Sequence, residues 1–124
     1  MAHLANASSD RLSDYFVDYL FDEYRGSRHV RRVASWVGLI VLGLQHLVRA
    51  NWKVPRRRQL AFEYKGTTYK AKYNHSTGPR GGIDIVEVLP GRGAPEGRKM
   101  RSIRNLQDAE RFYEDCARGQ PWGR

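Results

Sequence analysis

The sequence predicts a single α+β domain: two N-terminal helices, a three- to four-stranded antiparallel sheet, and a C-terminal helix packed on one face. Three observations carry this. Apolar residues follow the helical period through the N-terminal part, alternate with period two from Gln59, and return to the helical period after Asn105. The order ααββββα implies an antiparallel sheet with helices on one side. A chain of 124 residues fits one domain (residues 1–124), with a helical half at about 9–50 and a sheet-plus-helix half at about 56–118. That length buries enough apolar surface to fold without disulfides or metal.

The first helix is expected over 9–25, with Ser8 or Ser9 as its cap. Leu12, Tyr15, Phe16, Tyr19, Leu20 and Tyr24 form its apolar stripe. Asp10, Asp14, Asp18 and Asp22 recur every four residues and form an acidic row, where like charges repel by about 0.2–0.5 kcal/mol per pair. Gly26 and Ser27 end the helix. A second helix is expected over 28–50, its centre WVGLIVLGL apolar on every side, as suits an enclosed core or dimerisation helix. Its apolar stretch, 33–48, spans about 24 Å, short of the roughly 30 Å of a bilayer core. Basic residues flank it on both sides, so nothing orients an insertion. Arg28, Arg31 and Arg32 either begin this helix as solvated residues or pair with the acidic row.

From Gln59, Leu60, Phe62 and Tyr64 alternate with Ala61, Glu63 and Lys65; after Gly66, Tyr69, Ala71 and Tyr73 alternate with Lys70 and Lys72. This is a β-hairpin pattern. Further strands are expected at 83–89 and at about 99–104. The loops HSTGPRGG (75–82) and PGRGAPEGRK (90–99) are rich in Gly, Pro and Arg and are expected to be mobile. The last helix is capped by Asn105, carries Asp108 and Glu110 in its first turns, and stops at Gly119 and Pro121. Leu106, Ala109, Phe112, Tyr113 and Cys116 make its stripe.

Charge is the most informative feature for function. Residues 25–107 hold 18 Lys/Arg against Glu63, Asp84, Glu87 and Glu96. The net charge of +9 is therefore concentrated in one block, which attracts polyanions. DNA or RNA is the expected partner, contacted at its phosphates by a basic sheet-and-loop surface without chemistry. The residues assigned to that surface are Arg56, Arg57, Arg58, Lys65, Lys70, Lys72, Arg80, Lys99 and Arg101; Arg92, Arg98 and Arg104 add to the spread. Within YKGTTYKAKY (64–73), period two sends the tyrosines to one face and the lysines to the other, so the tyrosines are expected in the core rather than on bases. A single Arg-Gly-Gly at 80–82 reads as an ordinary turn rather than an RNA-binding repeat.

Enzyme readings are weak. Glu63-Tyr-Lys65 has the Glu-x-Lys form of metal-dependent nucleases, but Asp84 follows that strand instead of preceding it. His29, His46, His75 and Cys116 have no metal-ligand spacing, and no Ser or Cys carries the context of an activated nucleophile. No catalytic residue, metal, cofactor or small-molecule substrate is expected. The single cysteine rules out an intramolecular disulfide and fits a reducing compartment, and the first residues lack the pattern of a secretory signal, so the cytoplasm is the expected location. The alternative is a protein-interaction module or homo-oligomer from a phage or other mobile element, with no nucleic acid, in which acidic helix and basic sheet meet between subunits. A sheet backed by a helix over 59–117, on the patterns YKGTTYKAKY and SIRNLQDAERFY, loosely resembles AP2-like and phage-integrase arm-binding domains, a fold-level analogy that implies a sheet entering the major groove.

Overall fold

The computed structural model describes residues 4–48 and 60–123. Its elements are α1 (Leu4–Tyr24), α2 (Val30–Ala34), α3 (Val37–Val48), β1 (Leu60–Tyr64), β2 (Thr67–Asn74), β3 (Gly82–Val88), β4 (Glu96–Ile103) and α4 (Leu106–Ala117). The α+β class, the antiparallel sheet and the C-terminal helix are as predicted. The differences lie at the boundaries.

Helix α1 starts at Leu4, so Ser8 and Ser9 lie inside it and do not cap it. Leu and Ala before them are strong helix formers, and the deficit of an interior serine is small. Leu12, Phe16, Tyr19 and Leu20 are buried along one side, while Asp14, Asp18 and Asp22 are exposed on the other. The continuous helix expected over 28–50 is broken at Ser35 and Trp36. Their amides bond the carbonyls three residues back, on Arg32 (3.1 Å) and Val33 (3.0 Å). The Ser35 hydroxyl also donates to the Arg32 carbonyl at 2.6 Å, which offers that carbonyl an alternative to the helical ladder. The break lets Val33 on α2 and Trp36 before α3 both reach the core. Helix α3 buries Val37, Ile40, Val41 and Leu44 but leaves Leu42 47% exposed, so it is enclosed on one side and not all round. Among the described residues no helix is long and apolar enough to cross a membrane.

The sheet runs in the order β1-β2-β3-β4, all antiparallel. Lys65 (φ 51°) and Gly66 (φ 81°) form a two-residue turn with both residues left-handed, the geometry that matches the twist of a hairpin. Strand β4 begins at Glu96, earlier than predicted, because the Leu89 amide bonds the Pro95 carbonyl at 2.7 Å and closes the loop ahead of it. Leu60, Phe62, Tyr69, Ala71, Tyr73, Ile83, Ile85 and Ile103 face inward and share one core with α1, α3 and α4. Each fully buried Leu, Ile or Phe contributes about 1.5–3 kcal/mol.

Helix α4 is capped as predicted: extended Asn105 accepts the Asp108 amide at 2.8 Å. At its other end Gly119 (φ 75°) carries a left-handed turn in which the Gln120 amide returns to the Asp115 carbonyl at 2.8 Å. The chain then folds back, and Trp122 packs 5.0 Å from the Tyr69 ring.

Candidate nucleic-acid interface

Strand β2 separates two chemistries. Tyr69 and Tyr73 are buried: Tyr69 stacks on Phe62 at 5.5 Å, and Tyr73 lies 4.7 Å from Tyr24 with its hydroxyl 3.0 Å from Ser27 Oγ. These rings belong to the core and are closed to bases. Lys70 and Lys72 point the other way, onto the opposite face of the sheet, with Val86 and Asp84 as their neighbours on β3 and Lys99 beside Val86 on β4. The three lysines thus share a face, but they have partners. Glu96 meets Lys70 at 3.0 Å and Lys72 at 2.6 Å, and Lys99 lies 3.4 Å from Asp84. The hydrogen bond from Lys72, helped by Lys70 and opposed by partial burial, holds Glu96 below the usual carboxylate range.

Asp84 organises the end of this face. It is 1% exposed and accepts from Asn74 Nδ2 (2.8 Å), Thr77 Oγ1 (2.8 Å) and Ser102 Oγ (3.0 Å). Burial works to raise its pKa, but these three donors and the Lys99 charge outweigh it and hold Asp84 below its ordinary value. Asn74 ends β2 and Thr77 lies in the 75–82 loop, so that loop is anchored at the sheet rather than loose. The loop also needs its glycines. A Cβ on Gly81 (φ 77°) would lie 2.3 Å from the Tyr73 hydroxyl, and one on Gly82 would lie 2.4 Å from the Ile103 carbonyl oxygen. The Arg-Gly-Gly run is therefore a sterically required turn, and it presents Arg80 to solvent.

The other assigned residues divide. Arg101 faces inward with 13% side-chain exposure: it donates to Asp115 Oδ2 at 2.8 Å and to the Pro121 carbonyl at 2.9 Å, and lies 5.3 Å from the Phe112 ring. Arg118 pairs with the other oxygen of Asp115. Arg101 is committed to holding α4 and the C-terminal segment on the sheet, and does not join the lysines on the opposite face. Lys65 sits at the hairpin turn, 5.3 Å from the Tyr64 ring and at the opposite end of β2 from Arg80. Arg98 pairs with Glu87 at 3.3 Å, and bonds from the Arg98 amide and side chain keep Glu87 below its ordinary pKa. Arg92 is exposed in its loop. Arg56, Arg57 and Arg58 lie outside the described residues.

What sequence reasoning missed is a groove of about 540 Å³ lined by Arg32, Trp36, Pro79, Arg80, Arg104, Asn105, Leu106 and Gln107. Arg104 is held by Asp108, 3.0 Å from its Nε. Arg32 and Arg80 have no carboxylate partner among the described residues, and neither do Arg28 and Arg31, so of the two roles expected for Arg28, Arg31 and Arg32 the solvated one holds among the described residues. Positions 32, 80 and 104 are far apart in the chain, and no spacing rule links them. The only hint lay in the turn glycines around Arg80.

Among the described residues, no group of three or more His, Cys, Asp or Glu is placed to hold a metal ion. Glu63 is paired with Thr68 and Asp84 with Lys72, four residues further along β2, which separates the two carboxylates of the Glu-x-Lys reading by about 13 Å along the strand. Cys116 is buried, and burial pushes its thiol up to about 12, far from a reactive thiolate. No family model, curated protein or solved structure matches this chain, so the analogy to AP2-like and integrase arm-binding domains carries no argument.

Proposed function

We propose that this protein binds nucleic acid through backbone phosphates, without performing chemistry on it. The observation that carries the reading is that Arg32 of α2 and Arg80 of the β2–β3 loop line one groove without a carboxylate partner among the described residues, with Arg28 and Arg31 exposed and likewise unpartnered around α2. Unpaired guanidiniums form charge-assisted, often bidentate bonds to phosphate, and nothing internal must be broken first. Lys70, Lys72 and Lys99 extend the surface across the sheet, where phosphates compete with Glu96 and Asp84 for them. Lys65 adds a cation at the far turn.

Fluorescence anisotropy with mixed-sequence duplex and single-stranded probes at two salt concentrations tests this. Micromolar or tighter binding is expected, with log K falling against log salt at a slope near −0.7 to −0.9 per phosphate engaged. No binding at low salt rejects the reading.

A second reading rests on the same unpaired charges. Asp14 and Asp18 are exposed on α1 beside Tyr15, 36% exposed, and Arg28, Arg31 and Arg32 do not meet them within the molecule. The two surfaces are suited to meet between copies, in a head-to-tail association that closes as a ring or grows as a chain. Light scattering that finds a monomer at every salt concentration rejects this version.

A further inference from the structure

We infer that the groove between α2, the β2–β3 loop and the start of α4 is a seat for a terminal phosphate monoester carried on a nucleoside. This deepens the proposed nucleic-acid reading and rests on it for the source of the ligand, but the groove's own chemistry stands separately. Its volume of about 540 Å³ lies within the range of small-ligand sites. Three guanidiniums line it. Arg104 is half-committed to Asp108, which leaves Arg32 and Arg80 as two cations without a carboxylate partner among the described residues. Two such forks suit a group with several anionic oxygens better than a single carboxylate.

The remaining walls say what the phosphate is attached to. Leu106 is 48% exposed beside these cations, Pro79 is exposed next to Arg80, and Trp36, 3% exposed, closes the floor. An inorganic anion leaves that apolar surface wet; a nucleoside covers it. Asn105 and Gln107 supply side-chain amides, though Asn105 Oδ1 is already taken by the Asp108 amide. The seat is also stiffly mounted. Asp84 fixes Thr77, Gly78 packs so closely that its Cβ would lie 3.0 Å from Arg104 Cβ, and Gly81 and Gly82 press against Tyr73 and Ile103. Arg80 is thereby held to the same place as Arg104 by sheet geometry.

Anisotropy at fixed salt with one short single strand, labelled at its 3′ end and carrying either a 5′-phosphate or a 5′-hydroxyl, tests the seat. The phosphorylated strand is expected to bind about tenfold tighter, the scale of one charge-assisted contact. Arg80→Gln and Arg32→Gln are expected to bring that ratio to about one, whereas Arg111→Gln, an equal loss of charge on the exposed side of α4, leaves it intact. A ratio near one in the native protein, or one that survives both groove substitutions, overturns the inference. If neither strand binds, the nucleic-acid reading falls, and thermal shift with adenosine 5′-monophosphate against adenosine then decides the seat. Stabilisation by the monophosphate that Arg80→Gln abolishes upholds it, and no stabilisation removes it.

Discussion

Arg101 and Arg80 are both cations of the basic block, yet the fold uses them in opposite ways. Arg101 is turned inward, with its donors on Asp115 and the Pro121 carbonyl. Arg80 stands on a turn held open by glycines, with no carboxylate partner among the described residues. The lysines of the opposite sheet face fall between them, partly exposed and shared with Glu96 and Asp84. The contrast teaches that the formal charge of a segment is not the charge it offers a ligand. What matters is which cations the fold has already neutralised.

The sharpest way to break the contrast is to remove the inward arginine. Arg101→Ala leaves Asp115, 4% exposed, with Arg118 as its remaining ionic partner among the described residues, and is expected to lower stability by about 3–5 kcal/mol in urea unfolding. Arg80→Gln should stay within about 0.5 kcal/mol of the native protein. If the two cost the same, the division between structural and available cations is wrong.

Asp84 comes next. Asp84→Ala strands Asn74, Thr77 and Ser102 without their acceptor, and a loss of about 1–3 kcal/mol is expected. The substitution should also weaken nucleic-acid binding with Arg80 still present, because the loop that holds Arg80 loses its anchor. The same carboxylate gives a pH signature. Its folded pKa lies below the ordinary 3.8, so on acidification the unfolded chain takes up the proton first. Its contribution is therefore complete above the ordinary value and is lost as pH falls through the folded one. Glu96 and Glu87 act in the same sense. Urea midpoints measured from neutral pH to below the carboxylate range should fall in the native protein, and fall less in Asp84→Asn. Equal slopes would show that Asp84 is not the group responsible.

The smallest effect sharpens the middle case. Glu96→Gln releases Lys70 and Lys72 from an exposed ion pair, so its stability cost is expected to be under about 1 kcal/mol. If the sheet face contacts phosphate, affinity for a duplex rises severalfold and the salt dependence steepens. Unchanged affinity would confine binding to the groove edge.

Much of this fold was legible in the residues. Alternation in 60–73 by itself places Tyr69 and Tyr73 inside and Lys70 and Lys72 on the other face, because a strand has only two faces. The Asn105 cap was legible for a similar reason, since a short polar side chain three residues before an amide has one geometry to adopt. The break at Ser35 and Trp36 was not: residues 28–50 read as one continuous helix, and the hydroxyl of one serine offers the Arg32 carbonyl another partner. The ion pairs of the lysine face were equally hidden, since Glu96 meets Lys70 and Lys72 only through the pairing of β2 with β3 and β3 with β4.

By itself, the sequence determined the fold class, the polarity of the two faces of the β1–β2 hairpin and the concentration of positive charge, because all three follow from local periodicity and composition. The tertiary structure alone decided which cations remain available. Ion pairing depends on distances of a few ångströms between residues far apart in the chain, and those distances exist only once the strands are in register and α4 has docked.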